Sequence, residues 1–246
     1  MTVDGAPAFK AASQVTAQQE LVVSAPPRTF VSRGGEKLAH ALDVFDLEVA
    51  GIHALDAGAS TGGFTDCLLQ RGAQRVLAVD VGYGQLHHRL RQDPRVVVLE
   101  RTNVRDLTAE QLPPPSATLV VADLSFISLA LVLPSLRRVA AEEAAAVLLV
   151  KPQFESARDD VGDGGIVRDP TVWRSALLQV VGAAEAQGWG TVGVATSPLL
   201  GAKGNVEFLV HLTDGPVCED VAERIEAAVA DGRERRRGPA PTGGRS

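Results

Sequence analysis

The sequence predicts an α/β protein with a mostly parallel sheet covered by helices on both faces. Strand-like apolar runs alternate with helical stretches between residues 53 and 151, a pattern typical of parallel strands joined by crossover helices. The last two strand-like runs are joined by a short loop without a helix, which indicates an antiparallel pair at the sheet margin. We therefore expect a seven-stranded sheet with one antiparallel edge strand.

The individual elements follow from the spacing of the apolar residues. The strands are predicted over residues 53–56, 75–80, 96–100, 118–123, 144–151, 191–196 and 206–212. Helices are expected over residues 37–50, after Gly62, Gly84, Ser128 and Pro170, and over residues 217–230.

Composition narrows the class of protein. The 246 residues suffice for one large domain, and no apolar run reaches the ~18 residues that a membrane helix needs. Because no apolar leader is visible either, we expect a cytoplasmic protein without membrane contacts. The two cysteines, Cys67 and Cys218, are too few for a disulfide framework or a zinc site, so no metal is expected. A net charge of −6 gives no overall attraction to nucleic acid.

The two ends of the chain differ from its middle. Residues 1–30 are rich in Ala, Val, Pro and Gln and are interpreted as an N-terminal arm, followed by the main domain over residues 31–231. Residues 232–246 are rich in Arg, Gly and Pro and are expected to be a disordered tail. The arginine run at 233–237 is interpreted as a solubilising feature of that tail, with a contact to RNA as the alternative.

The strongest local motif is a glycine-rich turn at residues 55–64 (LDAGASTGGF), where a predicted strand leads into a helix. Glycines allow a ligand to approach the backbone closely. The motif lacks both GxGxxG and GK[ST], so neither a dinucleotide nor a phosphate loop is matched. Asp80 ends the next strand, where a carboxylate accepts hydrogen bonds from both ribose hydroxyls. Together these features indicate a nucleoside cofactor without a phosphate, namely S-adenosylmethionine.

The chain resembles the hemolysin-like TlyA proteins, which belong with the FtsJ-type ribose 2′-O-methyltransferases. The resemblance spans residues 30–212 and is carried by motifs at 31–38 (VSRGGEKL), 55–64, 80–86 (DVGYGQL), 101–103 (RTN), 122–128 (ADLSFIS), 151–155 (KPQFE) and 204–207 (GNVE). It implies a class I, Rossmann-like S-adenosylmethionine-binding fold. The cofactor residues that it implies are Asp56, Gly58, Ser60, Thr61, Gly62, Gly63, Phe64, Asp80, Thr102, Asn103 and Asp123. The catalytic tetrad that it implies is Lys37, Asp123, Lys151 and Glu207.

The residue types of this tetrad suit transfer to an alcohol. Asp123 and Lys151 follow neighbouring predicted strands, at the sheet edge where open α/β proteins bind ligands. Two lysines close together lower each other's pKa, so Lys151 is expected to act as a neutral base on a hydroxyl beside the sulfonium.

Two departures from the family shape the functional hypotheses. Only the last strands of an RNA-binding module are expected to survive, in residues 3–23. The loop after Lys151 holds five acidic residues against Arg158 and Arg168, and such a loop would repel phosphates. The acidic residues are Glu155, Asp159, Asp160, Asp163 and Asp169.

The first hypothesis is therefore an enzyme acting on a small-molecule natural product. In this hypothesis the bound cofactor serves as a fixed cation for dehydration or spirocyclisation of a polyether. The alternative is ribosomal RNA ribose 2′-O-methylation, as the intact tetrad implies. A second alternative is a non-enzymatic hemolysin-like protein. Assembly into a homo-oligomer is left open.

Overall fold

The computed structural model describes residues 2–7, 15–16, 18–22 and 29–237. Near the N-terminus, three two-residue strands form a small antiparallel sheet of order β2-β1-β3. They are β1 (Thr2–Val3), β2 (Ala6–Pro7) and β3 (Leu21–Val22). Of the predicted N-terminal arm, residues 1, 8–14, 17 and 23–28 lie outside the described residues. The chain beyond residue 237 lies outside them as well.

The main sheet has seven strands, and each of the seven predicted strands is confirmed. They are β4 (His53–Ala57), β5 (Arg75–Val79), β6 (Val96–Leu99), β7 (Ala117–Ala122), β8 (Ala140–Val150), β9 (Trp189–Thr196) and β10 (Phe208–Asp214). Their order is β6-β5-β4-β7-β8-β10-β9. β10 runs antiparallel to both β8 and β9, while the pairs from β6 to β8 are parallel. The reversed strand thus belongs to the C-terminal hairpin at one margin of the sheet, as the helix-free connection predicts.

Helices cover both faces of this sheet. They are α1 (Gly34–Val44), α2 (Gly63–Gln70), α3 (His88–Arg91), α4 (Leu133–Val139), α5 (Pro152–Glu155), α6 (Pro170–Glu185) and α7 (Val221–Arg237). One apolar core includes Leu38 of α1 and Leu68 of α2, and the other includes Leu177 of α6 and Ile225 of α7. Two layers of helices therefore sandwich the sheet, which leaves only the ends of the strands open for a ligand. No helix in the described part of the chain is long and apolar enough to cross a membrane.

Two helices end elsewhere than the sequence predicts. α1 stops at Val44 rather than near residue 50, because Asp46 has a positive φ of 52° that interrupts the helix. α7 continues to Arg237, so residues 232–237 of the predicted disordered tail are helical. An ion pair between Arg235 and Asp231, one turn apart, supports this extension, and Gly232 packs closely on the start of β10.

Candidate active site

A cleft of about 430 Å³ opens at the carboxyl ends of the parallel strands. Its polar lining comes from the loops after β4, β5, β6 and β7, and its apolar walls come from five aliphatic side chains and one aromatic ring. The predicted cofactor residues among its walls are Gly58, Ser60, Asp80, Thr102, Asn103 and Asp123. The aliphatic residues are Val81, Val104, Leu124, Ile127 and Val132, and the aromatic ring is that of Phe126. The sheet therefore brings six of the predicted residues together around one cavity.

Asp80 is held rigidly at the edge of this cleft. Its Oδ2 accepts a hydrogen bond of 2.7 Å from the Ser60 backbone N–H, and its Oδ1 accepts one of 2.6 Å from the Gly82 N–H. These bonds link the end of β5 to the glycine-rich turn after β4. The carboxylate orientation is thereby fixed before a ligand arrives, which lowers the entropy lost on binding.

The chemistry of the cleft fits S-adenosylmethionine. A carboxylate at the end of the second strand suits the two ribose hydroxyls, and aliphatic walls beside Asn103 suit a flat heterocycle with polar edges. Gly58 has a φ of +85°, and a Cβ there would lie 2.8 Å from the Asp123 carbonyl oxygen. Only glycine permits this close approach of the turn to the loop after β7.

Strained backbone is concentrated around the cleft. Ser60, Arg101 and Phe126 all have positive φ, of 47°, 54° and 64°, and they follow β4, β6 and β7 respectively. Non-glycine residues rarely adopt this conformation, and it tends to occur at ligand sites. Three strand ends that meet at one cavity each carry such a residue.

The four tetrad residues form two ion pairs. Lys151 Nζ lies 2.6 Å from Asp123 Oδ1 and also donates a hydrogen bond of 2.9 Å to Ser125 Oγ. Lys37 Nζ donates to Glu207 Oε2, and both of these residues are buried. Phe208 pairs with Val150 at the end of the β8–β10 ladder. One step further in the same antiparallel register, Glu207 stands opposite Lys151. The strand ends therefore place the two ion pairs beside each other.

A smaller pocket of about 180 Å³ connects the tetrad with the cofactor cleft. Gly58, Ser60 and Asp123 line both cavities, and Lys151 lines the smaller one. Three further predicted residues also line it, namely Thr61, Gly63 and Phe64. A substrate group in the smaller pocket would thus contact Lys151 while facing the cofactor cleft.

Two predicted cofactor residues lie apart from both cavities. Asp56 is completely buried, and its Oδ2 accepts a hydrogen bond of 2.6 Å from the Thr65 hydroxyl. Gly62 faces the side chains of Leu86 and Leu90, which leave no space for a Cβ. Neither residue faces a cavity: both support the turn from beneath, because the strand end and the helix packing turn them inward, and their direct contact with the cofactor stays a prediction.

Burial changes the ionisation of Asp56. Desolvation raises the pKa of its carboxyl to about 7, with the negative charges of Asp123 and Asp80 adding to the rise. The Thr65 hydrogen bond acts in the opposite direction but is the weaker influence. The Oδ1 atom has no hydrogen-bond partner within the described structure. Below about pH 7 the carboxyl that underlies the glycine-rich turn is therefore mostly protonated.

The loop after Lys151 is less acidic toward the solvent than its sequence suggests. Glu155 is buried and accepts hydrogen bonds from the Ser128 hydroxyl (2.6 Å) and the Leu129 N–H (2.9 Å). Asp169 caps α6 by accepting from the Thr171 N–H at 2.8 Å. Only Glu155 is thus withdrawn from the surface, whereas Asp169 stays exposed, so the loop presents four acidic side chains to solvent rather than five.

Sequence reasoning missed two residues of the site. Ser125 bonds to Lys151, as described above, and its place two residues after Asp123 is the only signal for it. Phe126 is the second: it is 91% exposed at the cleft, and its ring lies 5.1 Å from that of Phe154. An exposed aromatic ring held in strained backbone is a feature that a packed core does not require.

Comparison with known proteins identifies the family. Residues 30–214 match the FtsJ-like methyltransferases. The 16S/23S rRNA (cytidine-2′-O)-methyltransferase TlyA of Mycobacterium tuberculosis strain H37Rv is 51% identical over 235 residues, which cover 94% of this chain and 87% of that protein. Hemolysin A of Brachyspira hyodysenteriae is 43% identical over 182 residues, which cover 74% of this chain and 76% of that one.

A solved structure agrees with these relatives. The "putative hemolysin from Streptococcus thermophilus" superposes with a TM-score of 0.82 at 41% identity, covering 88% of this chain and 78% of that one.

The fold and the site thus define an S-adenosylmethionine-dependent enzyme of the methyltransferase class. The chain belongs to the FtsJ-like methyltransferase family, and the resemblance to TlyA proteins seen in its sequence is confirmed. The small-molecule hypothesis is wrong, since a relative that matches 94% of the chain is an rRNA methyltransferase. The predicted polyether dehydration and cyclisation were part of that hypothesis and are wrong as well. The family assignment also contradicts the non-enzymatic alternative.

Proposed function

We propose that the protein transfers a methyl group from S-adenosylmethionine to a ribose 2′-hydroxyl of ribosomal RNA. The observation that carries this proposal is the position of Lys151, which lines the small pocket beside the cofactor cleft and is held by Asp123 and Ser125. The named activity of the 51% identical relative supports the same substrate. Such a substrate implies action in the cytoplasm, where ribosomes are made.

A sugar hydroxyl is a poor nucleophile unless a base removes its proton, and the tetrad supplies such a base. Bound S-adenosylmethionine supplies the electrophilic methyl group. In its neutral form Lys151 accepts the proton of the 2′-hydroxyl as the oxygen attacks the methyl group, S-adenosylhomocysteine is the leaving group, and the transfer forms the Lys151–Asp123 ion pair that the structure contains. The buried pair of Lys37 and Glu207 borders Lys151 through the β8–β10 register and keeps this wall of the pocket in place.

Cofactor binding is assigned to the loops after β4, β5 and β6. In this assignment the Asp80 carboxylate accepts from the ribose hydroxyls, and Gly58 and Ser60 allow the turn to approach the cofactor. Thr102 and Asn103 contact the base from the loop after β6. The aliphatic walls exclude water from the heterocycle, which strengthens each polar contact.

Phe126 is assigned to the RNA. It lines the cofactor cleft, is almost fully exposed, and stands three residues after Asp123. A nucleotide whose ribose enters the pocket must leave its stack, and an exposed aromatic ring replaces the lost stacking. The neighbouring Phe154 supports the ring from the opposite loop.

The proposal is tested with purified protein, ribosomal subunits lacking the modification, and S-adenosylmethionine labelled on its methyl group. We expect label in the ribosomal RNA, with S-adenosylhomocysteine formed in equal amount. Lys151→Ala should bind cofactor normally and transfer almost no label. Failure of the unmodified protein to label the RNA of either subunit, under conditions where it binds cofactor, would contradict the proposal.

A further inference from the structure

A second basic feature lies outside the active site. Four arginines line a surface groove of about 400 Å³ between the start of α6 and the end of α7, and we call it the arginine groove. Its members are Arg168, Arg233, Arg236 and Arg237, together with Pro170 and Trp173. Arg236 donates a hydrogen bond of 3.3 Å to the Arg168 carbonyl oxygen, which joins the two sides of the groove. Three of these arginines belong to the segment interpreted from sequence as a disordered tail.

The groove arginines differ from their neighbours in charge pairing. Arg174, Arg224 and Arg235, on the same two helices, each form an ion pair with a carboxylate at 2.6–2.9 Å. Within residues 29–237 and the other described segments, none of the four groove arginines has a carboxylate within 4.0 Å. Like charges brought together without counterions repel each other, and an anionic ligand relieves that repulsion.

The arginine groove is at the same end of the sheet as the catalytic tetrad. Val167, next to Arg168, donates a hydrogen bond of 3.0 Å to Asn205 Oδ1, and Asn205 precedes Glu207 by two residues. On the other side of the groove, Gly232 packs against Val206 and Phe208. Both walls are therefore anchored to the segment that carries Glu207.

We propose that the arginine groove binds the phosphate backbone of the RNA substrate, on the strands flanking the nucleotide that enters the active site. This inference rests on the proposed function. A guanidinium pairs with phosphate oxygens through two parallel hydrogen bonds, and a row of four offers contacts to successive phosphates. A membrane surface is disfavoured because none of the exposed large apolar side chains of the described residues lines the groove.

The test replaces Arg168, Arg233, Arg236 and Arg237 by Gln and measures affinity for ribosomal RNA at several salt concentrations. Each lost phosphate contact lowers the magnitude of the slope of log K against log salt by about 0.7–0.9, so loss of four contacts should lower it by about 3. Affinity at low salt should fall at least about tenfold. The matched control, Arg174→Gln with Arg224→Gln, removes paired arginines from the same helices and should leave both quantities near those of the unmodified protein.

The affinity for S-adenosylmethionine should stay unchanged in the quadruple variant, because none of the four arginines lines the cofactor cleft. An unchanged salt slope, or an equal loss in the control variant, would overturn the proposal. Binding of the unmodified protein to vesicles containing phosphatidylserine, lost in the quadruple variant while RNA affinity is kept, would assign the groove to a membrane and also overturn it. If the unmodified protein methylates no RNA, the proposed function fails, whereas the salt slope still reports separately on the groove.

Discussion

The Nζ atom of Lys151 lies 2.6 Å from a carboxylate oxygen of Asp123, and the two residues directly follow the neighbouring parallel strands β8 and β7. Sheet geometry fixes this relationship, because strands that pair in register bring the residues after them to the same edge. The Ser125 hydroxyl adds a third fixed contact at 2.9 Å. Lys151 is thus oriented by the fold before substrate binds.

Replacing Lys151 by Met keeps the volume of the side chain and removes its ability to accept a proton. We expect the single-turnover rate of methyl transfer to fall about 10²–10⁴-fold, which is the usual contribution of a general base. Calorimetry should show almost unchanged cofactor affinity, since Lys151 does not line the larger cleft. A rate within a few-fold of the unmodified enzyme would show that another group takes the proton.

Asp80→Ala removes the proposed acceptor for the ribose hydroxyls. We expect cofactor binding to weaken by about 1–3 kcal/mol, because the hydroxyls would be left without their partner. Isothermal titration calorimetry measures this change. Glu143→Ala, an exposed carboxylate near the amino end of β8, is the control and should bind cofactor normally. Equal affinity in the two variants would contradict the placement of the cofactor.

Phe126→Ala tests whether the exposed ring stacks on a base of the RNA. Affinity for RNA should fall by about 1–3 kcal/mol, the usual value for one base stacked on an aromatic side chain. Thermal stability should not decrease, because a ring that is 91% exposed contributes little to the core. Phe126→Trp should retain binding. Loss of RNA affinity in both variants alike would indicate a role other than stacking.

Asp56 should make stability depend on pH. Because its pKa in the folded protein is raised to about 7, the folded state retains a proton that the unfolded chain releases above about 4. The free energy of unfolding should therefore decline as pH rises toward 7 and then level off. Asp56→Asn mimics the neutral carboxyl and should not show this decline. Relative to the unmodified protein, its free energy of unfolding should rise by about 1–3 kcal/mol as the pH increases from 5 to 7.

Urea denaturation at each pH measures this difference. The control is Asp93→Asn, since the hydrogen bond from Arg95 holds the pKa of the partly buried Asp93 carboxyl below its usual range. Its effect on the free energy of unfolding should be constant between pH 5 and pH 7. A parallel pH dependence in Asp56→Asn and in the unmodified protein would show that the buried carboxyl is ionised throughout.

The strands were predictable because long aliphatic runs such as residues 144–151 fit only a buried strand in this setting. The tetrad residues were predictable from their motifs, and their location at strand ends was predictable from the alternation of elements. Their pairing was not predictable. Which lysine meets which carboxylate depends on the register of β8 against β10 and on the position of α1, and neither is encoded in local spacing.

Side-chain orientation accounts for the errors. A count of charges cannot tell that Glu155 faces Ser128 inside the protein while Asp159 faces solvent, so the loop was judged more acidic than its surface is. Phenylalanine is usually buried, so composition alone does not indicate that Phe126 is exposed. Its left-handed backbone, which turns the ring outward, leaves no trace in the sequence.

Nucleoside analysis of ribosomal RNA, after reaction with the purified enzyme and S-adenosylmethionine, tests most directly whether Lys151 promotes methylation of a ribose 2′-hydroxyl. Mass spectrometry separates 2′-O-methyl nucleosides from those methylated on the base, since the methyl group stays with the sugar fragment. We expect a 2′-O-methyl nucleoside that is formed by the unmodified protein and is absent with Lys151→Met. A methyl group found only on a base, or a ribose mark equally abundant with Lys151→Met, would contradict this expectation.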